Sequence, residues 1–307
     1  MAQDFAEVTR TVEFKMAVEM DLAADRGLFR PLAMQGSDTG KAIEVTDRFS
    51  RLQMEEITVR NGRTNNVDPD VIRRWINKPK RAGVAPLIDA DDVLATKVGL
   101  KSPLVMGVAD AARAYADDQW LRGFYGVAAT GETGAVSVAF KTANVIAADY
   151  DVPGTPSGLT YEKILKVNEL RRQRFVKSNP ADPFCVSITA LEISALLRID
   201  KFINGFYRES KPLESGEPTD FLGIHWIPAE ITSAANYKNG AALALNGSGH
   251  RRLPCWVPSG MYVNSWLEFE AHDDVRADMN HSEQFAGYSC IAATRVNEDK
   301  CFIIEVL

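Results

Sequence analysis

The sequence predicts an α+β fold, with helices placed ahead of a strand-rich end. Three observations predict it. Apolar residues recur at helical spacing after Ser102-Pro103, two further helix starts stand at Thr160 and Thr189, and the stretch from Tyr262 to Val306 reads as successive strands. A regular strand–helix alternation, which builds a parallel α/β sheet, is not seen.

Residues 1–37 form an arm ahead of the core, with mixed helical spacing at Phe5, Val8, Val12, Val18 and Leu22 and a turn at Gln35-Gly36-Ser37. Residues 38–81 hold 13 apolar residues in 44, about 30% against 46% for the whole chain. That is too little to bury a core, so the segment must lean on something else. It reads as a two-way strand excursion: out through Ile43, Val45, Ile57 and Val59, around Asn61-Gly62 and Asn65-Asn66, and back through Val71, Ile72, Trp75 and Ile76.

Ser102 followed by Pro103 starts a long helix, because serine caps free N–H groups and proline at the first helical position loses no hydrogen bond. Val105, Ala109, Ala112, Ala116 and Trp120 give its apolar face. Asp110, Arg113, Asp117, Asp118 and Arg122 give a polar face, and Gly123 and Gly126 mark its end. A strand runs from Ala135 to Phe140. A second helix begins at Thr160, stapled by Leu159 and Ile164, and a third runs from Thr189 through Leu197. Phe221 to Ile227 reads as a buried strand, followed by strands at Tyr262–Glu270, Tyr288–Val296 and Cys301–Val306.

With 307 residues, 25% of them charged, the chain has a globular composition. A net charge of −6 argues against a general nucleic-acid coat. No run of about 18 apolar residues exists and the first ten residues lack a signal-peptide layout, so a soluble, unsecreted chain with no membrane partner is expected. Cys185, Cys255, Cys290 and Cys301 form no CxxC pair and read as buried, reduced thiols.

The catalytic motifs fail on context. Gly36 to Ala42 has three residues between its glycines instead of four, and Ala42 where a phosphate loop needs a hydroxyl. Gly247-Ser-Gly249 lacks the third glycine of a dinucleotide fingerprint, and Gly287-Tyr-Ser289-Cys-Ile291 resembles a nucleophile elbow lying inside a strand. His272, Asp273, Asp274 and His281 are the most metal-like cluster, but no fixed spacing brings the two histidines together, and a solvated acidic surface is the better reading. His225 reads as a structural histidine in a strand. No catalytic residue, metal or cofactor is expected.

Charge is patterned more sharply than the total suggests. Residues 71–81 carry Arg73, Arg74, Lys78, Lys80 and Arg81 beside Trp75 with no acid. Residues 265–283 carry Glu268, Glu270, Asp273, Asp274, Asp278 and Glu283 against Arg276, a local −5. One basic and one acidic region on a single chain suit contact between copies, so these residues are the candidate intersubunit contacts.

Several runs resemble the major capsid proteins of tailed bacteriophages with the Hong Kong 97 fold. Pro86 to Asp92 and Ala114-Tyr-Ala-Asp-Asp118 look like the approach to and body of that family's spine helix. Leu159 to Leu165, Phe184 to Ile188 leading into Leu191–Leu197, and Thr219 to Ile227 are similar to its axial-domain succession, and Ala292-Ala-Thr-Arg295 followed by 300–306 to its closing strands.

The resemblance implies an N-terminal arm (1–37), an extended loop (38–81), a peripheral domain with the spine helix (82–156), an axial domain (157–262), and C-terminal strands returning to the peripheral domain (263–307). It implies a non-enzymatic virion protein, assembled in the host cytoplasm as hexamers and pentamers of an icosahedral head enclosing double-stranded DNA without sequence preference. Further implied partners are a separate scaffolding protein, because the spine-helix signal arrives early in the chain, together with a portal and decoration or cement proteins. In the type member a lysine of the extended loop is crosslinked to an asparagine of a neighbour; Lys78 and Lys80 lie in the corresponding stretch, but nothing marks the acceptor or the catalytic glutamate, so no crosslink is expected. The alternatives are an encapsulin-like nanocompartment and, behind it, a metal-dependent hydrolase using His272, Asp273 and His281.

Overall fold

The computed structural model describes residues 27–49, 54, 56, 71–88, 101–199 and 220–307. The turn of the 38–81 excursion, the first 26 residues of the arm, and residues 89–100 lie outside the described residues.

Three sheets and a long helix organise the described residues. The first sheet is built on an antiparallel hairpin of β12 (Met261–Arg276) and β13 (Ser282–Arg295). Sixteen residues at about 3.3 Å each make β12 roughly 50 Å long. β1 (Met34–Gly36) lies parallel to β12, while β4 (Ala82–Val84) and β5 (Leu87–Ile88) pair with β13. The second sheet has the order β10 (Ile224–Pro228), β9 (Phe184–Ile188), β11 (Arg251–Trp256), β14 (Cys301–Val306), β8 (Val145–Ile146). The third runs β2 (Ala42–Phe49), β3 (Val71–Asn77), β6 (Ala128–Thr130), β7 (Val136–Val138).

The residues 263–307 therefore divide. β12 and β13 stay in the first sheet, and after the turn at 297–300 β14 crosses into the second, where it pairs with β11 and β8. Ile303, Ile304 and Val306 are fully buried there, so β14 is an interior strand, and its alternation is lost because both faces are covered.

Helix α1 (Lys101–Tyr125) is the predicted long helix. It already includes Lys101, ahead of the expected Ser102-Pro103 start; proline is tolerated throughout a first turn, whose N–H groups have no helical acceptor. Its first half packs Val108 and Ala109 against Phe269, Ala271 and Phe285 of the first sheet. Its second half enters the main core, where Trp120 stacks on Phe29 with ring centroids 4.7 Å apart and meets Trp256 at 4.5 Å. Gly123 does not end the helix. It lies within the last turn, and a Cβ there would sit 2.3 Å from the Ala293 carbonyl oxygen, so its missing side chain lets α1 touch the backbone of β13.

Helices α2 (Tyr161–Gln173) and α3 (Ala190–Leu196) start as read from sequence. The Thr160 side chain accepts from the Lys163 N–H, Leu159 and Ile164 are both buried, and Thr189 with Glu192 completes a capping box. A short helix, α4 (Gly240–Leu243), packs on α1.

Candidate intersubunit surfaces

The basic stretch 71–81 is built on β3, whose alternation sends successive side chains to opposite faces. Arg74 shares a face with Ile76 and is buried, while Arg73 and Trp75 are half-exposed. The Trp75 indole Nε1 donates to the Gly131 carbonyl at 2.7 Å, and the Thr130 hydroxyl donates to the Arg73 carbonyl at 2.6 Å, fixing β3 to the β6–β7 hairpin. Arg73 lies 3.4 Å from Glu44 on the neighbouring strand.

Arg74 reaches a buried ionic junction. Its Nη2 is 3.6 Å from Glu298 Oε1, and both Glu298 oxygens accept from Arg295 Nε at 3.1 Å. Arg295 is fully buried, and its Nη1 donates to the carbonyls of Phe124 and Gly126 at the end of α1. Carbonyls there have no helical donor, so a guanidinium satisfies them and meets the negative end of the helix dipole. One carboxylate thus ties together the base of the excursion, the end of the long helix and the turn before β14.

The acidic stretch 265–283 follows β12 and the turn beyond it. Glu268 pairs with Arg30 at 2.9 Å, and Glu270 pairs with Arg81 at 3.0 Å. Arg81 also lies over the Tyr288 ring, 4.2 Å from its centroid. The structure therefore brings one basic and one acidic candidate together within a single chain, so this pair is already matched before any neighbour arrives. Asp273 is buried, whereas Asp274 and Asp278 are exposed. Asp278 binds Arg276, whose hydrogen bond pulls the carboxyl pKa down to about 2. Lys78 and Lys80 are exposed.

The metal-like cluster does not converge. His272 turns toward Glu270, 3.3 Å away, while its neighbour Asp273 is buried on the other face of β12 and His281 lies in the tip turn. Among the described residues no three His, Cys, Asp or Glu side chains are grouped to hold a metal ion. All four cysteines are buried free thiols, and burial pushes the Cys185 pKa up to about 12. No helix among the described residues is long and apolar enough to cross a membrane.

Sequence reasoning missed the residues that hold the body together. Asp117 and Asp118, read as a polar helix face, are both buried. Asp117 accepts from the Leu28 and Phe29 N–H groups, each at 3.0 Å, and Asp118 accepts from the Asn239 N–H at 2.8 Å and the Gly240 N–H at 2.6 Å. Lys163, also buried, places Nζ within reach of the carbonyls of Ala148, Ser157, Gly158 and Glu305, at 2.8 to 3.2 Å. Desolvation lowers its pKa, with Asp151 opposing. Residues 171–177, Arg-Arg-Gln-Arg-Phe-Val-Lys, form a compact basic run denser in charge than 71–81.

A long helix laid across an extended hairpin, an excursion anchored at its base and a second mixed sheet together define a Hong Kong 97-type capsid subunit, the fold implied by the resemblance. Solved structures agree. The chain is similar to the capsid of the cyanophage P-SCSP1u (TM-score 0.63, 12% identity, covering 92% of this chain and 88% of that one). It is similar to the capsid of the cyanophage Pam1 (TM-score 0.62, 11% identity, 92% of each chain). It is also similar to the mature capsid of bacteriophage PhiM1 (TM-score 0.61, 10% identity, 91% and 87%). A comparison with curated proteins gives no match. The phage capsid protein family model matches residues 7–307, and the chain belongs to that family. It is a structural protein, a major capsid protein, and the hydrolase and nanocompartment readings are not favoured.

Proposed function

We propose that this chain assembles as hexamers and pentamers into an icosahedral head around double-stranded DNA, in the host cytoplasm, with a separate scaffolding protein and a portal. The observation that carries the reading is the family match over residues 7–307. The division into arm (1–37), extended loop (38–81), peripheral domain (82–156), axial domain (157–262) and returning strands (263–307) is kept, with β14 assigned to the axial sheet that it pairs into.

The mechanism is geometric and needs no reaction. An excursion with 13 apolar residues in 44 buries little area by itself, so most of its gain comes against a neighbouring copy, and ordering is coupled to assembly. Its base must nevertheless be rigid for the loop to be aimed. The buried Arg74–Glu298–Arg295 junction supplies that rigidity. Of the basic candidates, Lys78 and Lys80 are the exposed ones placed to meet a neighbour, since Arg73, Arg74 and Arg81 are engaged within the chain.

Electron microscopy of the purified full-length protein, produced with and without its scaffold, tests the reading. Closed isometric shells are expected, with nuclease-protected DNA inside particles taken from infected cells. A monomeric solution mass under both conditions, or shells filled with a dedicated protein cargo, would overturn it.

A further inference from the structure

One arginine of helix α2 is buried with no acid to neutralise it. Arg171 keeps 6% of its surface exposed, and its Nε is enclosed without an acceptor. The one side-chain partner of the guanidinium among the described residues is the ring of Phe184, whose centroid lies 5.0 Å from Cζ. A ring face repays only part of the cost of taking a guanidinium out of water. Burial and the adjacent Arg172 charge both draw the Arg171 pKa down. Acids on α2 and beside β9 and β10 are committed elsewhere. Glu169 pairs with Lys166 and Asp220 with His225, each at 2.9 Å, while Asp182 accepts from the Ser259 N–H at 2.9 Å and lies 3.9 Å from Lys300.

A glycine leaves the approach to this guanidinium open. Phe221 and Ile224 exchange both backbone hydrogen bonds around Leu222 and Gly223, at φ 55° and 72°, which makes a tight two-residue turn ahead of β10. A Cβ built on Gly223 would lie 4.0 Å from Arg171 Nη2 and meet nothing nearer. Gly223 itself is exposed, so a group arriving from outside passes beside it to reach Nη2. β10 is the end strand of its sheet, and no further strand covers this corner among the described residues.

The group that would complete the site is an oxyanion, and burial selects its source. Duplex phosphates meet side chains that stand out from a surface, which Arg171 does not. A carboxylate side chain is slender enough to enter, and it matches the paired N–H donors of a guanidinium. The chain carries 41 acids against 35 lysines and arginines, and Glu132 and Glu162 are exposed with no ion-pair partner among the described residues. A second copy therefore has carboxylates to give.

We propose that Arg171 is a receptor for a carboxylate side chain of a neighbouring copy, entered beside Gly223. The inference rests on the reading of the chain as a self-assembling shell subunit and gives that assembly one buried ionic contact. The guanidinium is unpaired in the free subunit and neutralised on association, so its charge weakens the subunit and strengthens the shell.

Thermal melting of dispersed subunits and shell yield by sedimentation and electron microscopy, both on nuclease-treated full-length protein, test the site. Arg171→Met removes the charge and keeps an apolar stem. Its subunits should melt no lower than wild type, while shell yield falls about tenfold, as for loss of one partner of a buried pair. Gly223→Asp brings a carboxylate to the guanidinium from within the chain. It should melt about 2–4 °C above Gly223→Asn, which bears the same backbone strain without the charge, and that gap should vanish in an Arg171→Met background. With its site filled, Gly223→Asp should assemble as poorly as Arg171→Met and worse than Gly223→Asn. Normal shell yield from Arg171→Met overturns the proposal, as does a subunit that melts well below wild type, since an acid of the same chain would then hold the arginine. A yield defect seen only when DNA is added would assign the site to phosphate and overturn it equally. Wild-type shells in the same assay keep each failure separate from failure of the capsid reading.

Discussion

Two glycines of helix α1 give opposite answers to one substitution. Gly107 and Gly123 both lie within Lys101–Tyr125, and glycine inside a helix costs about 1 kcal/mol relative to alanine. A Cβ on Gly107 meets nothing within 4 Å. Gly107→Ala should therefore stabilise the subunit by about 1 kcal/mol. A Cβ on Gly123 would lie 2.3 Å from the Ala293 oxygen and 2.4 Å from its carbonyl carbon. Both are backbone atoms of β13, so no side-chain rotation relieves the clash. The helix would have to lift from the sheet by about 1 Å, loosening Leu121 and Phe124, and overpacking of this kind costs about 1–3 kcal/mol. Set against the same propensity gain, Gly123→Ala should destabilise by up to about 2 kcal/mol, leaving the two variants about 1–3 kcal/mol apart. Urea unfolding followed by tryptophan fluorescence, on dispersed subunits so that association adds nothing, measures both. A Gly123→Ala midpoint raised as far as that of Gly107→Ala would refute the close-approach argument.

Arg295→Met should be among the most damaging single changes, because it leaves the buried Glu298 carboxylate with the more distant Arg74 in place of two hydrogen bonds and strands the α1 carbonyls; a loss of about 3–5 kcal/mol in the same unfolding experiment is expected. Asp299 carries the pH prediction: burial raises its pKa, but hydrogen bonds from Lys141 and Arg174 outweigh that and hold it below the ordinary carboxylate value. Its contribution is thus present above about pH 4 and lost as pH falls through the lowered folded value, and Asp299→Asn should flatten the acid limb of the stability curve.

Local rules carried the sequence reading a long way. The Thr160 and Thr189 starts, the long helix and the strand-rich end depend on residues within a few positions of each other, and each is present, with the bounds of the long helix shifted by a residue or two. What escaped is non-local. The crossing of β14 into the sheet of β9 and β11 depends on which buried surfaces match, and spacing does not encode that. Spacing alone puts Asp117 and Asp118 on a solvent face, since carboxylates rarely bury unpaired, yet backbone N–H groups from distant turns satisfy both. Arg74 was readable: on a strand it must share a face with Ile76, and an arginine on a buried face needs a partner such as Glu298. The stretch 71–81 is therefore two surfaces, one buried with Arg74 and Ile76 and one turned outward.

The adjacent carboxylates of α1 also couple parts that look independent. Consecutive helical residues point about 100° apart around the axis, so Asp117 holds the entry at Leu28 and Phe29 while Asp118 holds the turn at Asn239 and Gly240 on a different side. The helix works as a camshaft with two followers. Any rotation of α1 about its long axis displaces both attachment points together, in a phase relation set by the single peptide bond between the two aspartates.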